Sequence, residues 1–155
     1  MTQLARILAH TLAGTLICVL LALPAYAASI KQAKKALAAN DYNTALAELK
    51  PLASSGNPQA NNLLGLMYMQ GNGVTQNTVQ AKTYFEAGAR TGHLDSLQNL
   101  NIILDAEYRE ELKTVKPAAQ GGDSQSQTRL GRMYEFGHGV DPSPTDAFLW
   151  YQTAA

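Results

Sequence analysis

Three histidines are the first place to look for chemistry, because an imidazole can act as base or metal ligand near neutral pH. They are His10, His93 and His138. No His-x-x-x-His pair, no cysteine pair and no acidic cluster at ligand spacing accompanies them, so no metal and no cofactor is expected. The acids Asp105, Glu107, Glu110 and Glu111 interleave with Arg109 and Lys113. That pattern reads as a solvated helix face laced by neighbouring ion pairs, not as a catalytic carboxylate pair. Two glycine loops, GNGV (Gly71–Val74) and GHGV (Gly137–Val140), follow no strand and lead into no Gly-Lys-Ser/Thr, which argues against phosphate binding. Nothing pairs a nucleophile with a base, so no catalytic residue is assigned.

The glycine loops belong to something larger. LGLMYMQGNGV, Leu64 to Val74, returns as LGRMYEFGHGV, Leu130 to Val140. The displacement of sixty-six, Gly65 to Gly131, aligns Gly56–Ala89 with Gly122–Ala155 without a gap. Recurrence of this kind marks a solenoid of stacked helical units. Ala60, Leu64 and Tyr68 recur every four residues and share one helical face. Gly65 lies beside them and costs about 1 kcal/mol relative to alanine, which close approach of a neighbouring helix explains. Gly71 and Gly73 end the helix and permit positive φ, and Val74 tucks inward. Asn77 caps the second helix of one unit and Ser143 that of the other, where Pro144 follows. Ala81, Tyr84, Phe85 and Ala89 match Ala147, Trp150, Tyr151 and Ala155 as the apolar stripe of that second helix.

The chain therefore reads as all-α, an antiparallel helix-pair solenoid. A partial unit covers about 30–56, a full unit 56–91, a degenerate unit 92–121 and a full unit 122–155. The degenerate unit lacks the glycine loop. It is expected as two helices joined by a turn near Glu107–Glu110, in preference to one longer kinked helix. Pro51 and Pro117 stand at equivalent places in KPLASSG and KPAAQGG, where each should kink or end its helix.

Composition sets the compartment. Apolar residues make up 46% and charged residues 15% of 155 residues, with zero formal net charge. That is a globular composition without the basic stripe of a nucleic-acid binder, so no nucleic-acid partner is expected. Residues 1–27 read as a signal peptide: Arg6, an apolar run from about Thr11 to Leu23, Pro24, then Ala25-Tyr26-Ala27 ahead of cleavage. The run is short for a membrane span, so no stable span is expected once it is removed; an uncleaved anchor is the alternative. The single cysteine, Cys18, lies inside that run, and Ile17 before it argues against lipid attachment. The mature domain, 28–155, is expected in the periplasm or secreted, without thiols.

With these residues in place, the chain resembles the Sel-one-like repeat family, relatives of the tetratricopeptide repeat. The resemblance rests on ANNLLGLMYMQGNGVTQN with AKTYFEAGA, and on SQTRLGRMYEFGHGVDPS with AFLWYQTAA. It is strong over Gly56–Gly92 and Gly122–Ala155, weak in the middle unit and partial over Lys31–Gly56. It implies a superhelix and a scaffold or adaptor role. Cysteine-rich secreted members brace each repeat with disulfides, a feature missing here, so any enzymatic activity of that subgroup is not carried over.

The implied binding face is the side of each first helix opposite the core: Asn62, Leu66 and Met69, then Gln98, Ile102 and Asp105, then Thr128, Arg132 and Glu135. Unlike the core positions, these change chemical type from unit to unit, as a groove for one asymmetric protein or peptide partner would. The plainer alternative is a soluble surface with Leu66 and Ile102 packed on neighbouring helices. The rival functions are a cell-wall hydrolase, for which no residue constellation exists, and a carbohydrate-binding module using Trp150 and Tyr151. Those two aromatics lie on a helix with nothing beyond Ala155 to stack on it, so either the chain is part of a longer protein or that face is partly exposed. The oligomeric state is not specified.

Overall fold

The computed structural model describes residues 29–155, so the signal peptide and its cleavage site lie outside the described residues. What is described is helical and without strands. The order is α1 (29–38), α2 (Tyr42–Ser54), α3 (Pro58–Gln70), α4 (Thr78–Ala89), α5 (Leu94–Gln120), α6 (Ser124–Phe136) and α7 (Pro144–Ala154). They form two compact halves, one up to Ser96 and one from Leu97.

Five of the helices start where a short polar side chain can accept from an otherwise unpaired backbone N–H. Asp41 accepts from the Thr44 amide, Asn57 from Ala60, Asn77 from Gln80, Asp123 from Ser126 and Ser143 from Asp146. α5 is capped by His93, whose Nδ1 accepts from the Ser96 amide at 3.3 Å. The caps at Asp41 and Asp123 hold their carboxyls below the usual aspartate range, because the hydrogen bonds from Thr44 and Ser126 favour the charged form. A depressed folded value contributes stability above the unfolded value of about 3.9 and loses it as pH falls through the folded value. Asp123→Asn keeps an accepting oxygen, so urea unfolding at pH 7 should change little. Below about pH 4 the variant should lose less stability than the native chain. Parallel losses in the two proteins would show that this cap carries no acid sensitivity.

The N-terminal half packs around a core of Ile30, Ala33, Ala45, Leu49, Ala60, Leu64 and Met67, with Leu63 and Tyr84 against its edge. α2 packs on α3, and α3 on α4. Ala60 and Leu64 are fully buried, as their spacing predicts. Tyr68 on the same face is only half-buried, and its ring stacks on Tyr84 at 5.5 Å. Gly65 is where the helices meet. A β-carbon there would clash with the ring of Phe85, 2.6 Å from Cδ1, and Phe85 is itself fully buried. The mid-helix glycine thus has the packing reason expected of it.

In the C-terminal half, Ala119, Leu130 and Met133 form the core, flanked by Tyr108, Leu112, Val115, Tyr134, Val140 and Trp150. α6 and α7 form its hairpin. No turn interrupts residues 107–110; α5 runs unbroken for 27 residues. The reason is local. The stretch from Asp105 to Lys116 contains no glycine or proline, and the pairs Asp105–Arg109 (2.8 Å) and Glu110–Lys113 (2.6 Å) span successive turns. Pro51 and Pro117 each lie inside a helix, three residues before its last residue, so the helix outlasts the proline by less than one turn.

The two glycine loops close in the same way. Gly71 and Gly137 adopt left-handed φ of 75° and 70° and donate to Met67 and Met133. The amides of Asn77 and Ser143 then return to the carbonyls of Tyr68 and Tyr134, at 2.9 and 2.8 Å. Each loop finally lies on a tyrosine of an earlier helix: a β-carbon at Gly73 would strike Tyr42, and one at Gly139 would strike Tyr108. Tyr42 and Tyr108 are again sixty-six apart. The second half of α5 is therefore the counterpart of α2, fused to the helix before it.

Candidate interaction surface

The residues expected on the binding face fall in both halves. On α3, Asn62 is buried at 6% exposure, with Ser96 Oγ at 3.5 Å from its Oδ1. Leu66 and Met69 are half-buried. Leu66 lines a 240 Å³ cleft with Leu37, Tyr42, Met67, Gln70 and Asn72. On α5, Gln98 is exposed, Ile102 is 56% exposed, and Asp105 is half-buried in its pair with Arg109. On α6, Thr128 is half-buried and its hydroxyl donates to Ser124 O at 2.9 Å. Arg132 and Glu135 are exposed, and Glu135 accepts from the Tyr151 hydroxyl at 2.6 Å.

Two clefts in the C-terminal half gather some of these residues. One, of 530 Å³, is lined by Thr128 and Arg132 with Glu111, Val115, Gln125 and Arg129. The Arg129 guanidinium grips Glu111 through two parallel bonds of 2.7 Å. Those bonds hold the Glu111 carboxyl below the usual glutamate range, with a smaller contribution from His138. The same guanidinium lies 5.8 Å from the centre of the Tyr108 ring.

The other cleft, of 340 Å³, sits at the second glycine loop, between Asn101, Leu104, Asp105 and Tyr108 on α5 and Phe136, Gly137 and His138. The His138 ring lies flat on Tyr108, 4.1 Å away and within 1° of parallel, and Phe136 is tilted at 5.7 Å beyond it. Sequence reasoning passed over Tyr108 and Phe136. Extending the sixty-six-residue alignment back to Tyr42 and Tyr108 would have exposed them, together with the replacement of Gln70 and Asn72 by Phe136 and His138.

Trp150 packs against the C-terminal core, and the Tyr151 ring lies where a β-carbon on Gly131 would meet it at 2.7 Å. Both rings are used in packing. The exposed apolar residues of α7 are Phe148 and Leu149 instead. Among the described residues, no group of three or more His, Cys, Asp or Glu could hold a metal ion, and no helix is long and apolar enough to cross a membrane.

The paired geometry of α3–loop–α4 and α6–loop–α7 is matched by a family model. Residues 58–93 and 124–155 each fit the Sel1 repeat. The chain carries two Sel1 repeats. It is similar to an uncharacterised protein of Neisseria meningitidis serogroup B, 30% identical over 95 residues, which are 61% of this chain and 20% of that protein. The crystal structure of c5321, a protective antigen present in uropathogenic Escherichia coli strains and displaying an SLR fold, superposes with a TM-score of 0.54. That likeness has 27% identity and covers 83% of this chain and 30% of that one. The chain thus spans a third or less of these relatives. The two matched repeats leave out α1, α2 and the whole of α5, where the loop-less unit has lost the repeat's glycine signature.

Proposed function

We propose that this Sel1 repeat protein is an exported, non-catalytic scaffold that holds a protein or peptide partner on the faces of its first helices. The observation that carries the proposal is a contrast between faces. Leu64 and Leu130 are both fully buried and identical in type. Ile102, Arg132 and Glu135 are exposed, and the place of Arg132 is held by leucine and isoleucine in the other units, that of Glu135 by methionine and aspartate. Asn62 belongs to the packing, so the available surface is Leu66, Met69, Gln98, Ile102, Asp105, Thr128, Arg132 and Glu135. Export rests on the leader-like residues 1–27.

The test is capture from an envelope extract by the immobilised chain, beside an Ile102→Ala/Arg132→Ala variant shown by circular dichroism to fold. Both residues are exposed, so the variant should fold normally. A protein retained by the first and released by the second is the expected result. Equal retention by both would move the site off these faces.

A further inference from the structure

The two glycine-loop clefts form an internal comparison. In the N-terminal half, the loop cleft is closed in on itself: Asn72 donates to Gln70 at 2.8 Å, and the Tyr42 hydroxyl donates to Asn40 at 2.9 Å. Its counterpart in the C-terminal half keeps the tyrosine and the glycines but replaces both amides. Phe136 stands for Gln70 and is 62% exposed, and His138 stands for Asn72. An acid has also entered, because Asp105 occupies the place of Ala39. An exposed ring and a carboxylate thus line the same 340 Å³ cleft. Aromatic faces and a carboxylate together attract an organic cation. The present partner of that carboxylate is Arg109, whose side chain is 69% exposed while Asp105 is 43% exposed. So exposed a pair is weakly held and easily exchanged.

We propose that this second-loop cleft takes an arginine or lysine side chain from a partner protein. The cation exchanges with Arg109 at Asp105, and its stem lies against Phe136 and His138. The proposal rests on the scaffold reading and names the partner chemistry of one site within it.

The experiment is a nuclear magnetic resonance titration of the purified chain, read at the ring protons of Tyr108 and the backbone amide of Gly137, which line the same cleft and are kept in every variant. The probes are a blocked tripeptide with arginine between glycines, the same peptide with glutamine, and a trimer of N-acetylglucosamine. Saturation by the arginine peptide, about fivefold or more tighter than by the glutamine peptide, is expected. The double variant Phe136→Gln/His138→Asn rebuilds the side chains that the first loop already carries, so it should fold and abolish the response. Asp105→Asn should weaken it severalfold. Equal response to arginine and glutamine peptides, an undiminished response in the double variant, or saturation by the saccharide alone would overturn the proposal. The capture experiment separates the two readings. A partner retained by Phe136→Gln/His138→Asn as well as by the native chain would sink the cleft and leave the scaffold standing. Arginine-peptide binding with no captured partner would sink the scaffold alone.

Discussion

Gly139→Val should destabilise the protein by about 3–5 kcal/mol, enough to remove a large share of a typical stability of about 5–15 kcal/mol. Two costs add. Gly139 sits at φ +71°, where a β-branched side chain is strained by about 1–3 kcal/mol. Its β-carbon would also lie 2.7 Å from the Tyr108 carbonyl carbon and 2.8 Å from the Arg109 nitrogen. Those atoms are helix backbone in the middle of α5, held by their own hydrogen bonds, and cannot step aside as a flexible side chain would. Overpacking of this kind costs a further 1–3 kcal/mol or so. Gly122→Val separates the terms. Gly122 has φ +95° and nothing within 4 Å of its β-carbon position, so it should bear the conformational cost alone. Urea unfolding of both variants checks the difference. Equal losses would mean that the loop does not press on α5.

The second large effect is at the crossing of α3 and α4. Gly65→Ala should cost about 2–3 kcal/mol, although alanine ordinarily stabilises a helix by about 1 kcal/mol over glycine. The methyl group would clash with the ring of Phe85, which is fully buried. Phe85→Ala should cost about 3–5 kcal/mol by leaving a cavity. The double variant is the informative one. With the ring gone, the methyl group fits, so Gly65→Ala in that background should be neutral or stabilising by up to about 1 kcal/mol. Additive losses would show that Gly65 and Phe85 are not in contact. The equivalent site should respond less. Gly131 faces Tyr151, a half-buried ring with more room to yield than the fully buried Phe85.

Much of this was open to inspection before any coordinates. The caps at Asn57, Asn77 and Ser143, the loop glycines and the burial of Ala60 and Leu64 all follow from local rules about orphan amides, φ and helical periodicity. The close packing at Gly65 was legible because a mid-helix glycine needs a reason. The degenerate unit was not. Deleting a loop leaves either a tight turn or a fused helix, and the sequence signals of both are the same missing glycines. The continuous helix follows once no breaker and two favourable side-chain pairs are weighed together.

The binding face shows the same division. Periodicity located one side of each first helix, and exposure bears on Ile102, Arg132 and Glu135 individually. Asn62 has the same spacing as exposed Gln98 and half-buried Thr128, yet it lies buried near Ser96, because what covers a helix face depends on the neighbouring element and not on the helix itself. The stack of His138 on Tyr108 joins residues thirty positions apart through a loop that folds back onto α5. The sequence by itself determined the repeat and the helix ends outside the degenerate unit, since each depends on residues close together in the chain or recurring at a fixed interval. The tertiary structure alone decided which polar residues are buried, which aromatic rings are free, and where the second glycine loop meets α5. Those outcomes depend on contacts between helices, which no local pattern encodes.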